Sequence, residues 1–396
     1  MNHSKHQMSN FGRLLLWCAI ACAWEGAFAA STSAEEALPP GIVAAKPGEG
    51  RYVEVPQGFM VPYVATIPGS NVTYEMIPIP GGVYEFQQGD RTLEVEIEPF
   101  WIGKTEVTWA EYLRYMELST AFDKFAELNL RKVESSDAVD AVTSPSKLYE
   151  PTFTFGSGDA PTQPAVSMSQ YAAKQYTKWL SLMEGQFLRL PAEAEWEYAC
   201  RAGTSTAYSF GDDPQQLGDY AWYEENSDLE LGHVGQKRPN PWGLYDMHGN
   251  AAEWVLDAYD PPEEGPADGS RVSLLEAIAW PTELYPRLLK GGSWLQPAEE
   301  CHSTSRLASD DDEWRINDPN YPQSPWWFAS DEGQQVGFRL LRPLNAPPRD
   351  EQEKFWQADL PSIMEHADRR IDEEGRGERG LVDPKLPQAI ESLKLK

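Results

Sequence analysis

The residues best suited to chemistry lie around Cys301, in the stretch KGGSWLQPAEECHSTSR that spans residues 290–306. Ser293 supplies a hydroxyl, Trp294 an aromatic wall and His302 an imidazole beside the thiol. A nearby imidazole can lower the pKa of a thiol and so create a nucleophile or a metal ligand. The alternative is a buried structural cysteine, because a free cysteine usually packs as a small apolar residue. We favour the buried structural cysteine, and the reactive thiol stays open as the alternative.

A second candidate site lies in GLYDMHGNAAEW, residues 243–254. Gly249 permits a tight turn with positive φ. Asn250 can present a side-chain carbonyl at that turn, and Glu253 can bring a carboxylate to the same point. Such hard oxygen ligands suit calcium. The alternative is a purely structural turn in which Asn250 bonds its own backbone.

Other common catalytic patterns are absent from the sequence. It contains six histidines, and it has no H-E-x-x-H, C-x-x-C or G-x-S-x-G motif. His233 and His248 have a spacing that fits no ligand pattern, so both are interpreted as hydrogen-bonding residues that organise loops. Zinc-dependent and serine-hydrolase mechanisms are therefore poor candidates.

The composition predicts a packed but irregular fold. Hydrophobic residues make up 41% of the 396 residues, which is enough for a sizeable core. The 15 Trp, 30 Gly and 32 Pro residues indicate a turn-rich architecture in which aromatic side chains do much of the packing. The formal charge of -29 argues against nucleic acid or an anionic membrane as a partner, because a phosphate-binding surface needs clustered Lys and Arg.

Residues 1–29 have the pattern of an export signal. Lys5 and Arg13 form a basic leader, an apolar stretch too short to span a bilayer follows, and an A-x-A pattern ends at Ala29. We expect a secreted or periplasmic mature protein with no transmembrane helix after signal removal. The alternative is a lipoprotein anchored through Cys22.

The rest of the chain divides by composition. Residues 30–50 are small, Pro- and Gly-rich, and are predicted to form a flexible linker. Residues 51–343 are predicted to be one domain, with a polar insertion or surface loop at 119–162. Residues 344–396 are predicted to be a charged surface tail with a short helix around EKFWQADL.

Four segments of the domain have a clear periodicity. RTLEVEIEPFWIG alternates as a half-buried strand. The apolar residues of that strand that face one way are Leu93, Val95 and Ile97. TEVTWAEYLRYMEL, SQYAAKQYTKWLSLM and PAEAEWEYACRAG are predicted helices. The second has Ser169 as its N-cap, and the third has Pro191 in its first turn and a buried Cys200.

Four ordered motifs resemble one known family. RLPAEAEWEYACRAG, NPWGLYDMHGNAAEW, LLKGGSW and VGFRLLRP are similar to motifs of the sulfatase-modifying factor family, which comprises the formylglycine-generating enzymes and their relatives. The resemblance runs from about Tyr74 to Pro343. It implies an irregular α+β fold related to C-type lectins, with little regular structure and bound calcium. It also places Asn250 and Glu253 where the family holds a calcium ion.

The resemblance bears directly on the chemistry at Cys301. Formylglycine-generating enzymes carry two cysteines five residues apart after the G-G-S, which bind copper(I) and activate oxygen. Aligned on that motif, Cys301 matches the second cysteine, Gln296 stands in place of the first, and Ser293 matches an active-site serine. Because copper(I) prefers paired thiolates, copper is not expected here.

Two functions from different classes follow. The first is a calcium-stabilised module without copper-dependent formylglycine synthesis, in which Trp294, Gln296 and His302 line a groove for an extended peptide or protein partner. The alternative is an oxygen-dependent oxidoreductase of the same family that uses Cys301 in an altered site.

Overall fold

Short strands and helices alternate along the chain in a computed structural model that describes residues 38–135, 139–146, 155–318 and 323–393. From Pro39 onward these residues form one compact unit. The predicted signal peptide, including Cys22, lies outside the described residues. Within them, no helix combines the length and apolar character that a membrane span requires.

The described residues contain sixteen strands, most of them short. In chain order they are β1 (Ile42–Val43), β2 (Val53–Val55), β3 (Gly58–Met60), β4 (Tyr63–Thr66), β5 (Thr73–Ile79), β6 (Gly82–Gln88), β7 (Arg91–Ile97), β8 (Phe100–Gly103), β9 (Ala141–Ser144), β10 (Ala252–Ala258), β11 (Arg271–Ser273), β12 (Arg287–Lys290), β13 (Arg306–Ala308), β14 (Val336–Gly337), β15 (Leu341–Pro343) and β16 (Glu378–Leu381). They form five small sheets with the orders β1-β3-β2, β13-β12-β10-β14, β11-β7-β6, β15-β8-β5-β4 and β16-β9.

Nine α-helices are described with these strands. They are α1 (Trp109–Met116), α2 (Leu118–Glu127), α3 (Gln170–Glu184), α4 (Glu193–Arg201), α5 (Leu274–Ala277), α6 (Asp311–Trp314), α7 (Arg349–Trp356), α8 (Pro361–Asp372) and α9 (Leu386–Leu393). The mixture of helices and small sheets confirms the predicted α+β class.

The locally encoded elements form where the periodicity predicts them. In β7 the side chains of Leu93, Val95 and Ile97 are buried while the alternating glutamates are exposed. Ser169 caps α3, because its hydroxyl accepts a hydrogen bond from the backbone N–H of Ala172. The first turn of α4 differs from the prediction, since the helix begins at Glu193 and Pro191 precedes its N-cap.

The predicted surface tail is corrected by the structure. Its described part contains α7, α8, β16 and α9, and β16 pairs antiparallel with β9. Phe355 and Trp356 of α7 are buried, and the indole of Trp356 donates to the carbonyl of Leu188 at 2.7 Å. Lys174 and Lys178 of α3 pair with acidic residues of this segment, so part of its charge is internal.

Two other segments are also more ordered than predicted. β1 lies within the predicted linker and pairs with β3. The predicted insertion at 119–162 includes most of α2 and all of β9, with Phe122, Phe125 and Val142 buried in the main core. β9 pairs with the distant strand β16, and β1 pairs with a strand outside the predicted linker, so the local composition of neither segment reveals its partner.

Candidate functional site

The loop that carries Cys301 leaves the sheet at the end of β12. β12 pairs antiparallel with β10, and Lys290 lies opposite Glu253 in that pairing. Gly291 and Gly292 then turn the chain with φ values of 97° and 68°. A Cβ at Gly292 would lie 2.6 Å from the sulfur of Cys301, so the second glycine is required for the close approach of the thiol.

The thiol of Cys301 is buried and neutral. Burial raises its pKa to about 12, although a hydrogen bond from the backbone N–H of Ser293 opposes that shift. The ring of His302 packs edge-on against Tyr208 at 4.8 Å between centroids. The protein therefore shields this thiol from water, and this desolvation disfavours the charged thiolate form.

The imidazole that lies deepest in this region belongs to His248. Its Nδ1 is 2.9 Å from the backbone carbonyl oxygen of Cys301, and its Nε2 accepts from the N–H of Ser209 at 3.0 Å. Burial lowers its pKa to about 4, so the ring is neutral at physiological pH. His248 thus ties two loops together, which is the role that the sequence predicted.

Ser293 and Trp294 are held by two neighbouring glutamines. The hydroxyl of Ser293 donates to the side-chain oxygen of Gln335 at 2.8 Å, and the indole of Trp294 donates to the carbonyl of Gln334 at 3.3 Å. Only 6% of Trp294 is exposed. The predicted groove is corrected here, because this tryptophan belongs to the core rather than to an open wall.

Gln296 is also buried rather than open to a ligand. Its amide nitrogen donates to a carboxylate oxygen of Glu300 at 3.0 Å, and its backbone carbonyl accepts from the N–H of Glu224. Its side-chain oxygen is buried and has no hydrogen-bond partner. Of the three predicted groove residues, only His302 is partly exposed.

Asn250 forms a structural turn. It has a φ of 65°, so the positive φ falls on Asn250 and not on Gly249 as predicted. Gly249 is required for another reason, since a Cβ there would lie 2.2 Å from the carbonyl oxygen of Trp222. The side-chain oxygen of Asn250 accepts from the N–H of Gly232 at 2.9 Å.

Glu253 is the partner of Arg339, and both side chains are fully buried. The guanidinium donates to both carboxylate oxygens, with Nε to Oε2 at 2.6 Å and Nη2 to Oε1 at 2.5 Å. The indole of Trp196 donates to the same Oε2 at 2.8 Å. Asn250 and Glu253 therefore present no free side-chain oxygen, and as placed they do not fit a calcium ion.

Two further carboxyl groups lie beside this ion pair. Glu106 and Asp246 are buried, and each has one oxygen without a hydrogen-bond partner. Burial raises the pKa of both, that of Asp246 to about 6. No group of three or more His, Cys, Asp or Glu side chains in the described part of the chain is arranged to hold a metal ion.

Sequence reasoning missed several residues that shape this region. Gln334 and Gln335 hold Ser293 and Trp294, yet no motif marks them. Cys200 lies 3.8 Å from Nε2 of His248, and burial raises its pKa to about 12. Neither Cys200 nor Cys301 is in a disulfide.

Comparison of the chain with models of known families identifies the class of protein to which this fold and these motifs belong. A model of the sulfatase-modifying factor enzyme 1-like domain matches residues 65–344. This chain therefore belongs to the family of the sulfatase-modifying factors and formylglycine-generating enzymes.

Individual relatives carry different names. The chain is 26% identical over 253 residues to the chaperone protein LppX of Paenibacillus barcinonensis, an alignment that covers 58% of this chain and 82% of that protein. It is 35% identical over 158 residues to the formylglycine-generating enzyme of Mycobacterium tuberculosis, covering 36% of this chain and 50% of that enzyme. PvdO from Pseudomonas aeruginosa is a structural relative with 23% identity and a TM-score of 0.48, covering 70% of this chain and 97% of PvdO.

Proposed function

We propose that this chain is an exported binding module that associates with an extended peptide or protein partner and does not synthesise formylglycine by copper-dependent chemistry. The observation that carries the proposal is position 296. A glutamine stands where the resemblance places the first copper-binding cysteine, and its amide is bonded to Glu300.

The remaining thiol does not compensate for that loss. Burial raises the pKa of the Cys301 thiol to about 12, so without a metal it is a neutral thiol and not a nucleophilic thiolate. Copper(I) selects soft thiolates, and an amide oxygen is a hard donor. The residues at positions 296 and 301 therefore do not fit a copper(I) site of the family type.

Similarity to a protein named as a chaperone supports the binding part of the proposal. A chaperone acts by association, so its similarity to this chain favours a role that needs no reactive thiol. The surface is expected to be strongly acidic from the net charge of -29, which favours a partner that is not anionic.

The alternative function is an oxygen-dependent oxidoreductase that uses Cys301. The observation that favours it is the 35% identity to the formylglycine-generating enzyme of Mycobacterium tuberculosis, together with a cysteine retained at position 301. It predicts oxygen consumption with a substrate, which Cys301→Ala abolishes. The binding module predicts that the same substitution leaves partner association unchanged.

The deciding experiment is a titration of residues 30–396 with copper(I) and, separately, with calcium, using Cys301→Ala as the matched control. We expect no tight copper(I) binding that depends on Cys301, and no conversion of a C-x-P-x-R peptide to its formylglycine form. Conversion of that peptide would overturn the proposal. Calcium binding tests the stabilising ion that the resemblance implies, and the N-terminal sequence of the protein exported by its native host tests cleavage near Ala29.

A further inference from the structure

The longest strand at the edge of a sheet in the described residues is β6. It pairs with β7 on one side, and β7 pairs in turn with β11, so the sheet ends at β6. The strand has seven residues, whereas the other edge strands have two to four. An edge of this length presents a row of unpaired backbone groups to which another extended chain can bind.

The pairing identifies the backbone groups that lie on the free edge of β6. In an antiparallel ladder, opposite residues alternate between pairs that exchange backbone hydrogen bonds and pairs that do not. On β7, the N–H of Glu94 and the carbonyl of Thr92 bond the segment that precedes β11, so both residues direct these groups away from β6. Glu85 and Gln87 lie opposite them and therefore direct their own backbone groups away from β7. By the same alternation, Val83 does so as well.

These three positions are open in the part of the chain that the structure describes. No backbone hydrogen bond links the free edge of β6 to another described segment. The side chains of Val83, Glu85 and Gln87 are all exposed, that of Val83 by 48%. The free edge therefore offers three N–H donors and three carbonyl acceptors at the spacing of a strand.

The outer face of this sheet carries more carboxylates than cations. Glu85 of β6 lies directly opposite Glu94 of β7, and Glu96 is exposed on the same face. The cation that the three strands direct to this face is Arg271, which pairs with Glu96 at 2.7 Å. No ion pair of Glu85 or Glu94 is seen among the described residues. Because like charges directly opposite each other are destabilising, a cation beside Glu85 would be favourable.

The same charges argue against a second copy of this chain as the occupant of the edge. Antiparallel pairing of two β6 edges through their three open positions would place the two copies of Glu85 opposite each other. That contact would add a like-charge pair to the one that Glu85 already forms with Glu94. Charged residues on an edge strand are a common means of preventing such self-pairing. The charges therefore favour a strand that carries Lys or Arg.

The inner face of β6 indicates what the alternate residues of such a strand would be. Phe86 is buried on this face, whereas Tyr84 is partly exposed. Tyr198 of α4 is also partly exposed and packs against Tyr84 at 5.5 Å between ring centroids. Because successive side chains of a strand point to opposite faces, an added strand would direct every second side chain toward these rings. Apolar residues suit those positions.

We propose that the free edge of β6 binds an extended segment of a partner protein in which Lys or Arg alternates with apolar residues. The segment adds a fourth strand to the sheet β11-β7-β6 and exchanges backbone hydrogen bonds with Val83, Glu85 and Gln87. One of its basic side chains lies beside Glu85. This inference rests on the partner-binding function proposed above, and it names the surface and the chemistry of the partner.

The acetylated and amidated peptide TKVKVKT is a suitable probe, and hydrogen exchange of individual backbone amides by NMR is the readout. We expect the amides of Val83, Glu85 and Gln87 to exchange rapidly in the free protein and to become protected, saturably, when the peptide is added. The amides of Tyr84 and Phe86 are the internal control, since they bond β7 and should be protected with or without the peptide. Protection of the first three amides that rises with protein concentration alone would identify a second copy as the occupant and overturn the assignment.

Matched peptides separate the backbone contribution from the charge. TEVEVET keeps the alternation but reverses the charge, and it should not protect the three open amides. TKVKVKT that is N-methylated at its central lysine keeps every charge but loses a backbone donor. Its affinity in calorimetry should therefore fall about tenfold. If either control peptide bound as tightly as TKVKVKT, the assignment would be wrong.

Substitutions in the protein complete the test. Glu85→Lys is expected to weaken binding of TKVKVKT about tenfold, because an opposite-charge pair becomes a like-charge pair. It should not lower stability, since the new cation lies opposite Glu94. Glu127→Lys, at an exposed position at the end of α2, makes the same change in net charge and should leave the affinity unchanged. Equal weakening by both variants would indicate diffuse charge attraction and overturn the surface.

These outcomes are distinguishable from failure of the proposed function. Each adverse result would remove the β6 edge and the basic partner, while the copper(I) titration and the peptide conversion assay would be unaffected. Conversion of the C-x-P-x-R peptide would instead overturn the binding module, without changing hydrogen exchange at Val83, Glu85 or Gln87.

Discussion

Substituting Asp359 by Ala is expected to destabilise the protein strongly, because this carboxylate neutralises two buried cations. Its Oδ1 lies 2.7 Å from Nζ of Lys174, and its Oδ2 lies 2.5 Å from Nη1 of Arg287. The three side chains are 8%, 1% and 4% exposed, respectively. Asp359 comes from the segment predicted as a tail, whereas Lys174 and Arg287 belong to the domain that it covers.

The magnitude follows from what the substitution leaves behind. Removing one partner of a buried ion pair costs about 3–5 kcal/mol of unfolding free energy, since the other charge stays buried and unpaired. Arg287 retains its hydrogen bond to Gln170, whereas no other acidic partner is seen for Lys174 in the described residues. We therefore expect a loss of about 3 kcal/mol or more, with most of the effect on Lys174.

Urea unfolding followed by tryptophan fluorescence measures this loss. Asp350→Ala is the matched control, since Asp350 is exposed on α7 and its removal should change stability by about 0.5 kcal/mol or less. In the double variant with Lys174→Met the penalty should fall below the sum of the single effects. If Asp359→Ala changed the free energy of unfolding as little as the control does, the argument that buried ion pairs hold the C-terminal segment against the domain would be refuted.

Three further predictions concern other parts of the molecule. Burial raises the pKa of Glu111 in the folded protein to about 7, so the folded protein binds this proton more tightly than the unfolded chain does. The resulting contribution to the free energy of unfolding is complete below the ordinary pKa of about 4.5, and it is lost as the pH rises through 7. Glu111→Gln should therefore match the parent at pH 4 and exceed it by about 3 kcal/mol at pH 8 in chemical denaturation, and a parallel pH profile for the two proteins would contradict this. Glu253→Gln should cost about 3–5 kcal/mol by the same measurement, because buried Arg339 then loses the carboxylate that accepts from two of its nitrogens, whereas Glu94→Gln on the exposed side of β7 should have little effect. Gln296→Cys should raise copper(I) affinity by orders of magnitude in a chelator competition, with Gln296→Ser as the control, and no increase would show that the loop cannot bring two thiolates to one ion.

The elements that the sequence predicted well are those whose causes are local. The alternation in β7 and the cap at Ser169 depend on residues within one strand or one turn, and both form as predicted. The four ordered motifs likewise identified the family, because each motif serves one compact piece of the fold. Gly292 is an example, since its positive φ and its contact with Cys301 lie within ten residues.

The elements that the sequence predicted poorly have distant partners. The charged segment after residue 344 has the composition of a surface tail, and only the fold reveals that Lys174 and Lys178 lie beneath it. The same limit applies to Glu253, which suits a calcium ligand by residue type until Arg339, 86 residues later, accounts for both of its oxygens. Residue type defines what a side chain can bind, and only the neighbours decide what it does bind.

The contacts of Cys301 are structural ones. Its sulfur fills the space above Gly292, where even a Cβ on the glycine would come within 2.6 Å. Its backbone carbonyl oxygen contacts Nδ1 of His248, and Nε2 of the same ring accepts a hydrogen bond from the N–H of Ser209. These contacts need a small side chain and a particular backbone path, and none of them needs a thiolate. Position 296 has no comparable constraint, because the loop forms with a glutamine whose amide bonds Glu300. A cysteine at position 301 is therefore weak evidence for oxidase chemistry, whereas the residue at position 296 bears directly on it.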